Sequence, residues 1–255
     1  MSGLFPLDAR IGCVPYLNAR PLVFGIEDRV TFEVPSLLAA DFLSGRFDAA
    51  LIPVVALLER PDAVAVDGVS ISARGTVRSV ILAHPRPLAE AQEIVLDPSS
   101  RSSCALLAVL VRGFFQISAR LVEKSDDPDA ARLIIGDPAL EFQAAPAAGW
   151  TITDLGEAWF RWTGLPFVFA VWAVRPGYEN APSLGGLLRL AAAAGLEARP
   201  EISERQANPG EALDYLTRNI RYSLGDDEKA GLARFCELAG AAGLLPGGCT
   251  LPAWV

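Results

Sequence analysis

Five short segments of this 255-residue chain put hydroxyls, amides or a carboxylate directly after an apolar run, and they hold the residues best suited to chemistry. The densest is Asp97-Pro98-Ser99-Ser100-Arg101-Ser102-Ser103, with four hydroxyls and a guanidinium where an extended run turns helical. Free N–H groups at a helix start bind anions, and a guanidinium adds paired donors for carboxylate or phosphate. Ser100, Arg101, Ser102 and Ser103 therefore read as an anion-holding turn, against the plainer alternative of a Ser-rich loop with one capping Ser. Asn18, in Pro15-Tyr16-Leu17-Asn18, is either an N-cap or an amide that faces a ligand. Ser79 lies inside an apolar strand, where its hydroxyl must find a backbone or ligand partner. Gly136-Asp137 ends another strand with a carboxylate that a capping role explains equally well, and Thr163-Gly164 alone reads as a turn.

Other chemistries lack their donors. The single histidine, His84, precedes Pro85 at the end of an apolar run, and none of the four cysteines (Cys13, Cys104, Cys236, Cys249) forms a Cys-x-x-Cys pair. A zinc site or a Ser-His-Asp triad would miss its usual groups, so no metal and no cofactor is expected. The cysteines are expected to be reduced core thiols. A formal charge of -8 without a Lys/Arg cluster argues against nucleic acid. The longest apolar runs, Leu106 to Val111 and Leu165 to Val174, are too short to cross a membrane, and Met1 to Asp8 carries no export signal. A cytoplasmic location is expected, with oligomeric state left open. The segments outline a cleft of hydroxyls, amides and one cation, an anion-binding clamp without a marked nucleophile and base.

The elements that must position these residues alternate in a βαβ rhythm. Arg10 to Val14, Thr31 to Val34 and Asp48 to Ile52 read as strands, and Ser36 to Leu43 as a helix capped by Ser36 and stopped by Gly45. Val77 to Ala83, Glu93 to Asp97, Leu121 to Glu123, Arg132 to Gly136 and Phe167 to Val174 read as further strands, with a helix from about Ser103 to Phe115. The remainder is helical over Leu184 to Ala194, Pro209 to Asn219 and Asp226 to Ala242. Pro85-Arg86-Pro87 and Arg175-Pro176-Gly177 suggest two crossings. These would make residues 1–86 with 175–255 a larger discontinuous lobe and 87–174 a smaller inserted one, with ligand held at strand ends between them.

Read in order, the segments resemble the chorismate dehydratase family of the futalosine route to menaquinone. The resemblance rests on Arg10 to Asn18 with Pro21-Leu22, Gly45-Arg46-Phe47-Asp48 with Pro53-Val54, Gly75 to Val80, Ser100 to Ser103, Ile135 to Leu140, Asp154-Leu155-Gly156 and Trp162 to Ala170. Asn219 to Tyr222, with Gly231-Leu232 and Phe235, fits as well. It implies an α/β fold like type II periplasmic binding proteins, acting on a small dianion, chorismate, to give 3-[(1-carboxyvinyl)oxy]benzoate. It further implies that Asn18 and Ser79 act on the substrate, while Ser100 to Ser103, Gly136-Asp137 and Thr163-Gly164 fall in motifs that hold it. One departure is Ser102, where the family usually has Thr. Two other readings share the fold: a non-catalytic binding protein of small anions, and the sister enzyme that acts on a cyclised futalosine derivative, which carries a His where this chain has Gly136.

Overall fold

The computed structural model describes residues 8–60, 62, 64–245 and 249–255, so most of the stretch Met1 to Asp8 lies outside the described residues. The chain opens with β1 (Ile11–Cys13), a 3-10 turn Leu17–Val23, β2 (Val30–Phe32), α1 (Pro35–Leu43), β3 (Ala49–Pro53), α2 (Val54–Leu58) and β4 (Val64–Ala73). β1 pairs in parallel with β2 and β3, and β3 is buried at every residue, as a strand covered on both faces must be. α1 starts on Pro35 with Val34 in the cap position rather than on Ser36, because proline's fixed φ suits the first helical position and its missing N–H is not needed there.

A second sheet follows, from β5 (Val80–His84), β6 (Glu93–Val95), α3 (Arg101–Leu110), β7 (Arg120–Val122), β8 (Ala131–Ile135), α4 (Asp137–Ala144), β9 (Thr151–Asp154) and α5 (Leu155–Thr163). Its order is β7-β6-β8-β5-β9. The chain then returns through β10 (Phe167–Val174), α6 (Ala181–Glu197), α7 (Arg199–Glu204), α8 (Pro209–Asp214), β11 (Arg221–Leu224), α9 (Asp226–Ala241) and β12 (Ala253–Trp254). The first sheet runs β11-β4-β10-β3-β1-β2, with β12 also on β4, which makes seven strands among the described residues.

Sheet membership shifts both expected crossings. β5 pairs with β8 and β9 in the smaller sheet, and β10 lies between β3 and β4 in the larger one. Pro85, Pro87 and Pro176 end strands, since a proline cannot donate to a ladder, but they do not mark where the chain changes lobe. The changes fall at the turns 74–79 and 164–166. β4 has no counterpart among the expected strands because Asp67, Gly68, Ser70 and Ser72 interrupt its apolar pattern. The two serines are satisfied by β11, Ser70 Oγ donating to the Ser223 carbonyl at 2.6 Å and Ser72 Oγ to that of Arg221 at 3.2 Å.

The core joins the lobes. Trp159 on α5, Phe167 on β10 and Phe235 on α9 are fully buried and meet edge to face at 5.0–6.1 Å between ring centroids, the arrangement that ring quadrupoles favour. The cysteine expectation is corrected in half: Cys13 and Cys104 are free thiols, whereas Cys236 and Cys249 form a disulfide with Cα atoms 5.7 Å apart. Their pairing follows from the return of the C-terminal segment to β4 as β12, a tertiary event that cysteine spacing does not encode. Among the described residues no helix is long and apolar enough to cross a membrane.

Candidate active site

Between the two sheets lies a cleft of about 550 Å³, counted out to its open mouth, where strand ends from both lobes converge. Asn18 reaches it from the segment after β1, Ser79 from the first crossing, Ser100 and Ser103 from the start of α3, and Gly136 from the end of β8. Apolar walls come from Leu51, Ile71, Ile135 and Phe169, so the site pairs a greasy slot with a few convergent polar groups.

Asn18 is not an N-cap. The cap position of the 3-10 turn is Tyr16, with no side-chain cap, and Asn18 sits inside the turn with its Oδ1 buried and without a hydrogen-bond partner. A buried amide oxygen left open is costly unless something else donates to it. Ser79 is 2 % exposed, and its carbonyl accepts the Gly136 N–H at 2.8 Å. Tyr215, wholly buried, lies between these two: hydrogen bonding with the Ser79 and Asn18 side chains favours its phenolate, but burial outweighs this and pushes its pKa up. Sequence reading missed Tyr215, because its place under the cleft depends on a π-helical turn, Tyr215–Asn219, that continues α8.

The Ser-rich turn divides its roles. Ser100 caps α3: its Oγ accepts the Ser103 N–H at 3.4 Å and donates to Ser103 Oγ at 2.9 Å. The first turn of this ten-residue helix therefore starts at the cleft, where its unpaired N–H groups favour an anion. Ser102 turns away, its Oγ accepting the Val55 N–H at 3.3 Å. Arg101 is a correction: its guanidinium is held by both carboxylate oxygens of Glu59, at 2.6 and 2.7 Å, and does not face the cleft.

Gly136 has φ 67°, and a Cβ there would come 3.0 Å from the Tyr16 ring, so only glycine permits both the turn and that approach. The Asp137 carboxylate does not line the cleft. Its Oδ1 accepts the Leu17 N–H at 3.1 Å, and burial raises its pKa while that N–H and Arg20 pull it back. Thr163 and Gly164 are also corrected. Thr163 Oγ1 donates to the Trp159 carbonyl at 2.9 Å and accepts the Leu165 N–H at 3.2 Å, and Gly164 ends α5 in the left-handed region. They build the second crossing and lie outside the cleft. Arg20, stacked 4.9 Å over Phe32, and Arg78 act electrostatically on Asp137 and Tyr215, and neither makes an ion pair among the described residues.

Two α/β lobes with a strand-end cleft of hydroxyls and amides define a clamp of the periplasmic-binding-protein kind. Solved structures of that kind align along nearly the whole chain. The alkanesulfonate-binding protein SsuA of Xanthomonas axonopodis pv. citri, bound to MOPS, has a TM-score of 0.63 at 15% identity and covers 98% of this chain and 99% of its own. A protein of Archaeoglobus fulgidus has a TM-score of 0.73 at 16% identity and covers 93% of this chain and 98% of its own. Such identities speak for the fold alone. A family model described as menaquinone biosynthesis matches residues 9–241, and a chorismate dehydratase of Thermus thermophilus is 32% identical over 260 residues, 90% of this chain and 94% of that one. The chain belongs to the menaquinone biosynthesis family.

Proposed function

We propose that this chain dehydrates chorismate to 3-[(1-carboxyvinyl)oxy]benzoate and water within menaquinone biosynthesis, acting in the cytoplasm. One observation carries the reading to this cleft: Asn18, with an open buried Oδ1, and Ser79 line the same slot between apolar walls, in a chain that matches a chorismate dehydratase along nearly its full length. The substrate's carboxylates are held by the first turn of α3, which takes the place expected for Arg101.

The reaction is an elimination with no net redox change. The ring C–H beside the ether oxygen loses its proton, and the electron pair spreads toward the ring carboxylate. The neighbouring C–O bond then breaks, and the leaving hydroxyl takes up a proton to depart as water. Asn18 Oδ1 accepts from that hydroxyl and orients it, while the Ser79 hydroxyl and the α3 amides stabilise the dienolate charge in a water-poor site. The proton goes to the substrate's own enolpyruvyl carboxylate, which passes it on to the departing hydroxyl, because the Asp137 carboxylate is turned onto the Leu17 N–H and does not line the cleft. Aromatisation supplies most of the driving force, so positioning suffices.

Incubation of purified protein with chorismate should give a product lighter by one water with the ultraviolet spectrum of a benzoate. Chorismate left unchanged would overturn the reading. Asn18→Ala and Ser79→Ala should each lower turnover by roughly 10²-fold or more with the fold intact, since the first removes the group that orients the leaving hydroxyl and the second a donor aimed at developing charge.

A further inference from the structure

We infer that Asp154 is a positioning residue for this reaction: its carboxylate holds the N–H groups of Val77 and Arg78, and so keeps the peptide before Ser79 in a left-handed turn that sets the Ser79 hydroxyl at the cleft. The inference rests on the reading that Ser79 acts on chorismate.

Asp154 is the last residue of β9 and the N-cap of α5, where its side chain accepts the Glu157 N–H at 3.0 Å. A cap needs no more than that. Yet the same carboxylate reaches across to the first crossing and accepts the Val77 N–H at 3.1 Å and the Arg78 N–H at 2.7 Å. Those bonds fall where the backbone is strained. Arg78 has φ 63°, and the Ser79 N–H donates to the Val77 carbonyl, two residues back, at 2.8 Å. That is a γ-turn of the rare left-handed kind, which a side chain disfavours and which persists only where its surroundings over-determine it. The other described non-glycine residue at positive φ, Gln116, ends a helix, an ordinary place for it.

Here the determinants lie on both sides of the turn. Asp154 holds the N–H groups entering it, and Gln143 Nε2 on α4 donates to the Arg78 carbonyl leaving it. Gly156 allows the close fit, since a Cβ there would stand 2.7 Å from the Gly75 carbonyl oxygen. Relaxation of Arg78 to negative φ would rotate the following peptide, break the Ser79–Gly136 backbone bond and turn the Ser79 Cβ off the cleft. Asp154 is half-buried and does not line the slot, so it acts through Ser79 and does not touch substrate.

Asp154→Ser separates the roles, because serine still caps α5 but cannot span to Val77 and Arg78. Its kcat on chorismate should fall roughly 10²-fold, the scale of a misplaced catalytic group, with KM within about threefold. Adding Arg78→Gly, which takes positive φ without penalty, should restore about tenfold of that loss. A folded Asp154→Ser with kcat within about threefold of the parent, or no gain on adding Arg78→Gly, would overturn the inference. If Asp154→Ser does not fold, Asp154→Thr, which also caps α5 and is too short to span to Val77 and Arg78, is read by the same criteria. If the parent protein leaves chorismate unchanged, the functional reading fails by itself, and a crystal structure of the variant still decides the positioning. Arg78 moved to negative φ supports it, and Arg78 near its present φ with Ser79 unmoved overturns it.

Discussion

The Oδ1 of Asp137 accepts the backbone N–H of Leu17 at 3.1 Å, a bond that ties the start of α4 in one lobe to the residue before Asn18 in the other. The carboxylate that read in the sequence as a cap or a substrate holder is thus a fastener between lobes. It fixes Leu17, and with it the residue that follows, Asn18.

Asp137→Asn keeps that acceptor oxygen, so turnover should stay within about threefold of the parent, whereas loss of a general base would cost on the order of 10³-fold. The pH dependence of stability adds a second check. Burial raises the Asp137 pKa, so the folded state favours the protonated group. Its contribution is fully present below the unfolded value of about 4 and is lost as pH rises through the folded value. Asn imitates the protonated form, so Asp137→Asn should melt at or above the parent at pH 7, and the two should converge near pH 3.5. A lower melting temperature at pH 7 would contradict this sign.

The cleft positions of Asn18, Ser100, Ser103 and Gly136 were legible in the sequence because each follows a strand and strand ends in this fold face one cleft, whereas Ser79, just before β5, was legible only as a hydroxyl in an apolar run that needs a partner. Arg101, Thr163 and Gly164 were misread for one shared reason. A strong local motif gives a residue's place in the chain but not the direction of its side chain, and Arg101 turned to Glu59, which caps the end of the neighbouring α2. Tyr215 and Asp154 were invisible as partners of the site, because their contacts with residues 18 and 77–79 join segments far apart in sequence. The fold class followed from the βαβ rhythm, while the lobe boundaries did not, since prolines mark strand ends and the chain changes lobe at glycine turns.

The two buried phenols should answer oppositely to removal. Tyr215 shares its hydroxyl with Ser79 and Asn18, whereas the Tyr222 hydroxyl is buried with no partner. Tyr215→Phe should lower turnover about tenfold and cost on the order of 1 kcal/mol of stability, the net worth of a buried hydrogen bond. Tyr222→Phe removes an unsatisfied group of the same shape and should leave turnover unchanged and stability equal or greater. Urea denaturation with steady-state kinetics on both variants checks the contrast, and equal effects would refute it.

Asp48 anchors the two ends of the larger lobe's central strands. It accepts the Arg10 backbone N–H at 2.9 Å, Arg10 Nη2 at 3.1 Å and Arg175 Nε at 2.7 Å. Burial would push its pKa up, but the hydrogen bonds from Arg10 and Arg175 outweigh that and hold it at about 2. A depressed carboxylate stabilises the fold above its unfolded pKa and loses that contribution as pH falls through the folded value. Asp48→Asn should therefore cost roughly 2 kcal/mol at pH 7, with the gap to the parent narrowing steadily below about pH 4. Urea midpoints at pH 7 and pH 3 measure it, and a gap that does not shrink on acidification would show that packing rather than charge sets the cost.

Gly136 offers a test of how closely the lobes must meet. Its left-handed backbone, φ 67°, disfavours any side chain, and the Tyr16 ring at 3.0 Å from a would-be Cβ leaves no room for one. Tyr16 comes from the larger lobe and its hydroxyl bonds Ser99 in the smaller, so displacing the ring loosens the cleft as well as the turn. Gly136→Ala should cost about 2 kcal/mol, combining backbone strain with overpacking, and should also raise KM. The two contributions are separable by a double-mutant cycle. Adding Tyr16→Ala removes the steric conflict but not the backbone penalty, so it should recover part of the stability lost, a coupling of about 1 kcal/mol, without restoring KM. If the two substitutions are additive in stability, the approach of Tyr16 does not explain why this position is glycine.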